Sequence, residues 1–241
     1  MTDEAWIVIC AAPWKTRNTI LLGKNLACEA PKPKVVLMDR RHPHRQQAEK
    51  LVQSIFFDTY GARLSTFYPY LLAIHDDEGT YQAVVGLRSG LRPLFCEHYL
   101  PEKAETLLKA PRSTLVEIGN LATLGAGHIR WIITALTAFL EGAGFVHVLF
   151  TITPLLRNSF VRMGLPLTYL ASADAQCLPS GLAREWGAYY DCNPQVYAGY
   201  IPVGYTALAA AVPPNTVLES IWNDAFIAGQ KAVPLIRRDS Q

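Results

Sequence analysis

The chain has 241 residues, half of them hydrophobic, and a formal net charge of +2. A charge so near zero, with its Lys and Arg mostly scattered, lacks the basic stripe that tracks a phosphate backbone, which argues against nucleic-acid binding. The length allows one large domain or two small ones, with enough residues to bury most of the apolar surface of the unfolded chain. Residues 6–10 and 35–38 read as strands separated by a loop at Pro31 and Pro33. From Arg45, apolar Ala48, Leu51, Val52, Ile55 and Phe56 recur at helical spacing, and Gly61 supplies a stop. Two apolar runs, 70–75 and 81–87, flank Asp76, Asp77, Glu78 and Gly79 and predict a hairpin. Residues 101–108 read as a short helix and 114–121 as a strand.

Gly125, Ala126 and Gly127 lead into a strongly periodic helix carried by Ile129, Ile132, Ile133, Leu136, Phe139 and Leu140, which Gly142 and Gly144 end. Residues 146–151 form an apolar strand. Pro154 starts a helix that Gly164 terminates, and 167–170 is a further strand. After Asp174 the chain is rich in Pro, Gly and aromatic residues, with an amphipathic helix over 216–227. Strands joined by a tight turn are antiparallel and strands joined through a helix can be parallel. The expectation is therefore an α/β fold, a mixed central sheet flanked by helices. Its divisions are an N-terminal extension over 1–40, a core domain over 41–205 and a C-terminal extension over 206–241 packed on the same domain.

Five cysteines, Cys10, Cys28, Cys96, Cys177 and Cys192, form no CxxC pair, which argues against a disulfide framework or a structural zinc. They read as small buried hydrophobes. The basic positions Lys32, Lys34, Arg40, Arg41 and Arg45 read as a solvated surface, and His42 and His44 lack the partners of a metal site. The first residues carry Asp3 and Glu4 where a signal peptide needs positive charge. No run approaches the roughly 20 apolar residues of a membrane span. A cytoplasmic protein with no membrane span is expected.

The stretch Val116-Glu117-Ile118-Gly119-Asn120-Leu121-Ala122 resembles the E-x-G-N-L-A motif of the thermostable-hemolysin family. Tyr68-Pro69-Tyr70-Leu71-Leu72, Gly86-Leu87-Arg88-Ser89, 94–100, 150–153, Leu156-Arg157-Asn158, 186–190 and 194–199 agree with it in order, so the resemblance runs from about 45 to about 202. In architecture that family is similar to the autoinducer (acyl-homoserine-lactone) synthases and to GNAT acyltransferases. The resemblance implies a GNAT-like acyltransferase domain over 41–205. It would move an acyl group from an acyl-carrier-protein or acyl-CoA thioester to a small amine, such as an amino acid or an S-adenosylmethionine-like acceptor. No tightly bound cofactor is implied; the acyl thioester is a co-substrate, and an acyl carrier protein is the expected partner. A membrane-active protein, as the family name suggests, and a non-catalytic GNAT-like binding module are the alternatives.

Forming an amide from a thioester needs a proton acceptor for the amine and a donor to the oxyanion. Glu117, a carboxylate in an apolar strand, is the candidate base; the plain alternative is an edge-strand acid that faces solvent or pairs with Arg88. Asn120 is a candidate to orient a carbonyl, or a loop hydrogen bond; it and Gly119 stand where the synthases carry Arg and Ser. Glu97 and His98 are candidates for the same cleft, and Arg88 mirrors an Arg of the synthases. Arg157 and Asn158, near a helix start, suit an anionic group or a pantetheine arm. Trp186, Tyr189 and Tyr190 suit an acyl pocket or simply a core. Gly125 and Gly127 suit a pyrophosphate cradle at a helix start, or a turn. Phe160 occupies the place of the GNAT tyrosine acid and has no proton to give.

Overall fold

The computed structural model describes residues 33–238. The strand expected at 6–10, Cys10, Cys28 and Lys32 lie outside them. The elements run β1 (Lys34–Met38), α1 (Arg45–Tyr60), β2 (Tyr70–His75), β3 (Tyr81–Ser89), α2 (Ala104–Leu108), β4 (Leu115–Thr123), α3 (Ala126–Gly142), β5 (His147–Ile152), α4 (Pro154–Arg162), β6 (Thr168–Ser172), α5 (Ser180–Arg184), β7 (Gln195–Tyr200), α6 (Ile201–Ala211) and α7 (Val217–Arg238). Short 3-10 turns at Phe95–His98 and Gly187–Cys192 join them.

One seven-stranded sheet holds the chain together, in the order β1-β2-β3-β4-β5-β7-β6. The first four strands pair antiparallel, and β4 pairs parallel with β5 because α3 carries the chain back across the sheet. β7, which the sequence pattern did not reveal, inserts antiparallel between β5 and β6. β1 joins the sheet through β2, ahead of position 41.

Alternation along β2 divides the core. Leu72 and Ile74 join Ile132, Leu136 and Phe139 of α3 on one face, whereas Leu71 and Ala73 join Val52, Ile55 and Phe56 of α1 on the other. α7 is twice the expected length and continues past Ile227 to Arg238. Its Ile221, Trp222, Ala225 and Ala232 are buried in the α3 cluster, so the apolar stripe of this helix is already covered. The two helices meet at glycines. A Cβ on Gly142 would stand 2.3 Å from the Phe226 carbonyl oxygen, and one on Gly229 would stand 2.2 Å from that of Phe139. Among the described residues, no helix is long and apolar enough to cross a membrane.

Two surface expectations are corrected. Arg45 is buried, not solvated: its Nη2 donates to the Tyr68 carbonyl at 2.6 Å, its Nη1 to that of Pro69 at 2.8 Å, and its Nε to Glu49 at 2.7 Å. With a further 3.3 Å bond from Nη1 to the Met38 carbonyl, the guanidinium fork meets four acceptors at once, which offsets its desolvation. Of the cysteines, Cys96 is buried, but Cys177 and Cys192 are exposed in the irregular segment after β6.

Candidate active site

β3 and β4 slip register between the pairs Val84–Ala122 and Gly86–Gly119, so Val85 faces both Asn120 and Leu121 and β4 bulges. Asn120 sits at φ 50°, a left-handed conformation that Asn tolerates better than most residues. A bulge bends its strand. The parallel ladder between β4 and β5 accordingly runs from Leu115–His147 to Ile118–Phe150 and stops there.

A cleft of about 60 Å³ opens at that point, room for a few waters. Residues 118–121 and 150–152 supply its strand edges, and Leu156 and Phe160 of α4 close one end. Tyr60, Tyr68, Phe95, Tyr99, Trp186, Tyr189 and Tyr190 make an aromatic wall. None of the described residues lining it is Asp, Glu, His, Lys or Arg. The Tyr189 hydroxyl donates to the Thr151 carbonyl at 3.0 Å, which ties the Gly187–Cys192 turn to β5. The Tyr99 and Tyr190 hydroxyls share a 2.5 Å hydrogen bond. Burial pushes the pKa of both phenols up, that of Tyr190 to about 12. Thr153 Oγ1 accepts the Leu156 N–H and caps α4, while Thr151 Oγ1 is buried without a protein partner.

A second, apolar cavity of about 40 Å³ lies among Leu136, Leu140, Val148, Leu165, Gly199 and Gly204. It shares Ile118, Phe150 and Phe160 with the first. The Phe150 and Phe160 rings stack with centroids 5.0 Å apart at 17°. Phe160 thus forms part of the wall that the two spaces share.

The sequence-predicted residues divide. Asn120, Trp186 and Tyr189 line the cleft. Glu117 does not. It is 1% exposed, and its Oε2 and Oε1 accept the N–H groups of Phe95 and Cys96, each at 2.7 Å. Burial raises its pKa above the ordinary carboxylate value, against the opposing pull of these N–H groups and of Arg88. Arg88 pairs with Glu117 across β3 and β4 and lays its guanidinium 4.5 Å from the centroid of the Tyr68 ring.

Glu97 braces a loop. It accepts the N–H groups of Leu94 and Ala104 and a 2.7 Å bond from Arg112 Nη1. Burial pulls its pKa upward, but Arg112 and these N–H groups outweigh that and hold it below the usual carboxylate range. His98 is exposed, its ring against Phe95. Arg157 and Asn158 are exposed on α4, on a different side from its cleft-lining Leu156 and Phe160. Gly125 and Gly127 stand at the start of α3, just past the cleft end of β4; a Cβ on Gly127 would meet nothing within 4 Å. The residue that sequence reasoning passed over is Tyr68. Its one signal was its place in Tyr68-Pro69-Tyr70.

The model of the family described as Thermostable hemolysin matches residues 38–205. Solved structures share the fold. FeeM, an N-acyl amino acid synthase from uncultured soil microbes, is 14% identical with a TM-score of 0.53, over 76% of this chain and 100% of its own. BjaI, a CoA-dependent acyl-homoserine lactone synthase solved with SAM and isopentyl-CoA, is 13% identical with a TM-score of 0.54, over 84% and 100%. TofI, solved in a ternary complex with an inhibitor and MTA, is 15% identical with a TM-score of 0.53, over 73% and 96%. No curated protein matches the chain in sequence. At these identities the structural likeness is one of fold.

Proposed function

We propose that this chain, which belongs to the thermostable hemolysin family, is an acyltransferase that moves an acyl group from an acyl-carrier-protein or acyl-CoA thioester to a small amine. The observation that carries the reading is the parting of β4 from β5 at the Asn120 bulge, into a narrow, uncharged cleft. Past Ile118 and Phe150 the two strand edges have no ladder partner in each other. A thin donor arm with amide groups fits between such edges, as an added strand fits a sheet. The buried, unpartnered Thr151 Oγ1 offers it one more polar contact. Held there, a thioester carbonyl meets the backbone of the bulge, where amide N–H groups and Asn120 stabilise the developing oxyanion. The acyl tail runs toward Phe160, and Trp186 and Tyr189 bound the amine side.

With coenzyme A as donor, Gly125 and Gly127 bring the backbone N–H groups at the start of α3, where the N-cap makes no side-chain hydrogen bond, to its diphosphate. Two fold neighbours, an N-acyl amino acid synthase and an acyl-homoserine lactone synthase, both make acylated products, which supports the same reaction type here. The reaction belongs in the cytoplasm, where acyl thioesters are made. Glu117 takes the amine's proton indirectly, since it does not reach the cleft. The test is intact mass spectrometry of a carrier protein loaded with mixed acyl groups, incubated with the protein and a pool of amines. Loss of acyl mass with a matching new amide supports the proposal. An unchanged carrier, and unchanged acyl-CoA in parallel, would refute it.

A further inference from the structure

Two stretches of this chain, Glu117-x-Gly119-Asn120 and Gly86-x-Arg88, converge on one residue, Tyr68. Asn120 Oδ1 accepts the Tyr68 N–H at 3.2 Å, and Arg45 Nη2 donates to the Tyr68 carbonyl at 2.6 Å, so its backbone is held on both sides. Gly86 and Gly119 face each other across β3 and β4. A Cβ on Gly119 would stand 2.9 Å from Tyr68 Cζ and 3.0 Å from its hydroxyl, and one on Gly86 would stand 3.0 Å from Tyr68 Cβ. The two glycines therefore leave bare backbone as a seat for the ring. Arg88 covers the ring, and Glu117, its cross-strand partner, stands two residues before Gly119 on the face of β4 over which the hydroxyl lies.

We infer that Tyr68 is the catalytic residue of the cleft, the phenol through which a proton passes from the acceptor amine to the buried Glu117 carboxylate and then on to the leaving thiolate. The inference rests on the acyl-transfer reading. The cleft wall offers no charged side chain, so acid–base work there falls to hydroxyls. Tyr189 is committed to the Thr151 carbonyl, Tyr99 and Tyr190 to each other, and Thr153 to the α4 cap, while the unpartnered Thr151 hydroxyl is an aliphatic alcohol, a far weaker acid than a phenol. Tyr68 lines the cleft, bonds the bulge at Asn120, and lays its hydroxyl over the face of β4 that carries Glu117.

The step balances. The amine lone pair attacks the thioester carbonyl carbon, whose π electrons move to oxygen. The N–H proton passes to the Tyr68 oxygen as the Tyr68 proton passes to Glu117. The oxyanion then re-forms the carbonyl and expels the sulfur. Tyr68 protonates the thiolate and recovers its proton from Glu117. An amide and a free thiol leave; both residues end as they began. Burial raises the pKa of Glu117, which favours its holding that proton between the two transfers.

Tyr68→Phe tests this cleanly, because the ring, its glycine seat and the Arg88 contact all remain. General acid–base groups contribute about 10²–10⁴-fold, so kcat for unloading the acyl carrier should fall by about a hundredfold or more with KM for the thioester unchanged. Residues acting as one unit are non-additive, so Tyr68→Phe with Glu117→Gln should be no slower than the slower single variant. If wild-type protein turns over and Tyr68→Phe keeps pace, the role of Tyr68 is overturned while acyl transfer stands. A double variant whose losses multiply overturns the relay to Glu117. If wild-type protein unloads neither acyl carrier nor acyl-CoA, the acyl-transfer reading and this inference fall together.

Discussion

Phe160→Ala should shift the acyl preference toward longer chains. The ring is 4% exposed, stacks on Phe150, and separates cavities of about 60 and 40 Å³. Truncating a buried Phe costs about 3–5 kcal/mol. At about 2–4 °C per kcal/mol for a chain of this size, the thermal midpoint should fall by roughly 6–20 °C. The opened space is lined by Leu136, Leu140 and Leu165, so it rewards hydrocarbon. Each methylene that enters it gains about 0.8 kcal/mol, a factor of about four. Two thioesters differing by two methylenes should then change their ratio of kcat/KM by up to roughly fifteenfold relative to wild type, in favour of the longer. The assay is direct competition between acyl donors below the variant's melting range. A ratio unchanged while both rates drop together would refute the idea that this ring ends the acyl pocket.

Gly229→Ala should loosen α7, because its Cβ would lie 2.2 Å from a backbone oxygen that cannot rotate away. Overpacking of this kind costs about 1–3 kcal/mol, read as a lower urea midpoint; an unchanged midpoint would mean the helices have room to part. Glu117 predicts a pH trend. Its folded pKa is raised, so its contribution to stability is fully present below the unfolded carboxylate pKa and is lost as pH rises through the folded value. Glu97, with a lowered pKa, contributes the opposite trend: its stability is present above the unfolded pKa and is lost as pH falls through the folded one. Urea midpoints from acid to neutral pH should decline less in Glu117→Gln than in wild type, and parallel curves would contradict the assignment.

Much of the scaffold could be read from periodicity. The spacing of Ala48, Val52, Ile55 and Phe56, and that of Ile132, Ile133, Leu136 and Phe139, places α1 and α3, whose apolar faces fill opposite sides of the sheet. The turn chemistry at 76–79 gives the β2–β3 hairpin. β7 escaped because six residues containing Gly199, preceded by Pro194 and running straight into α6, carry no alternation long enough to count. α7 runs past the expected end at Ile227 through Gly229 and Pro234, both of which weaken a helix on their own; Gly229 is where α3 comes close. For the site, the Glu117–Asn120 stretch drew attention to β4, but a motif gives no direction for its side chains and no sign of the bulge. The bulge at Asn120 and the backbone bonds from Phe95 and Cys96 decide that Glu117 lies behind the wall. Tyr68 is brought there by contacts with residues 45, 86 and 119, which no local pattern links.

The most direct measurement is a paired count of free thiol and new amide from one reaction of acyl thioester, amine and protein. The account predicts that both rise together in equal amounts, and that neither rises when the amine is omitted. Thiol release without amide, or release that ignores the amine, would show hydrolysis in place of transfer and contradict it.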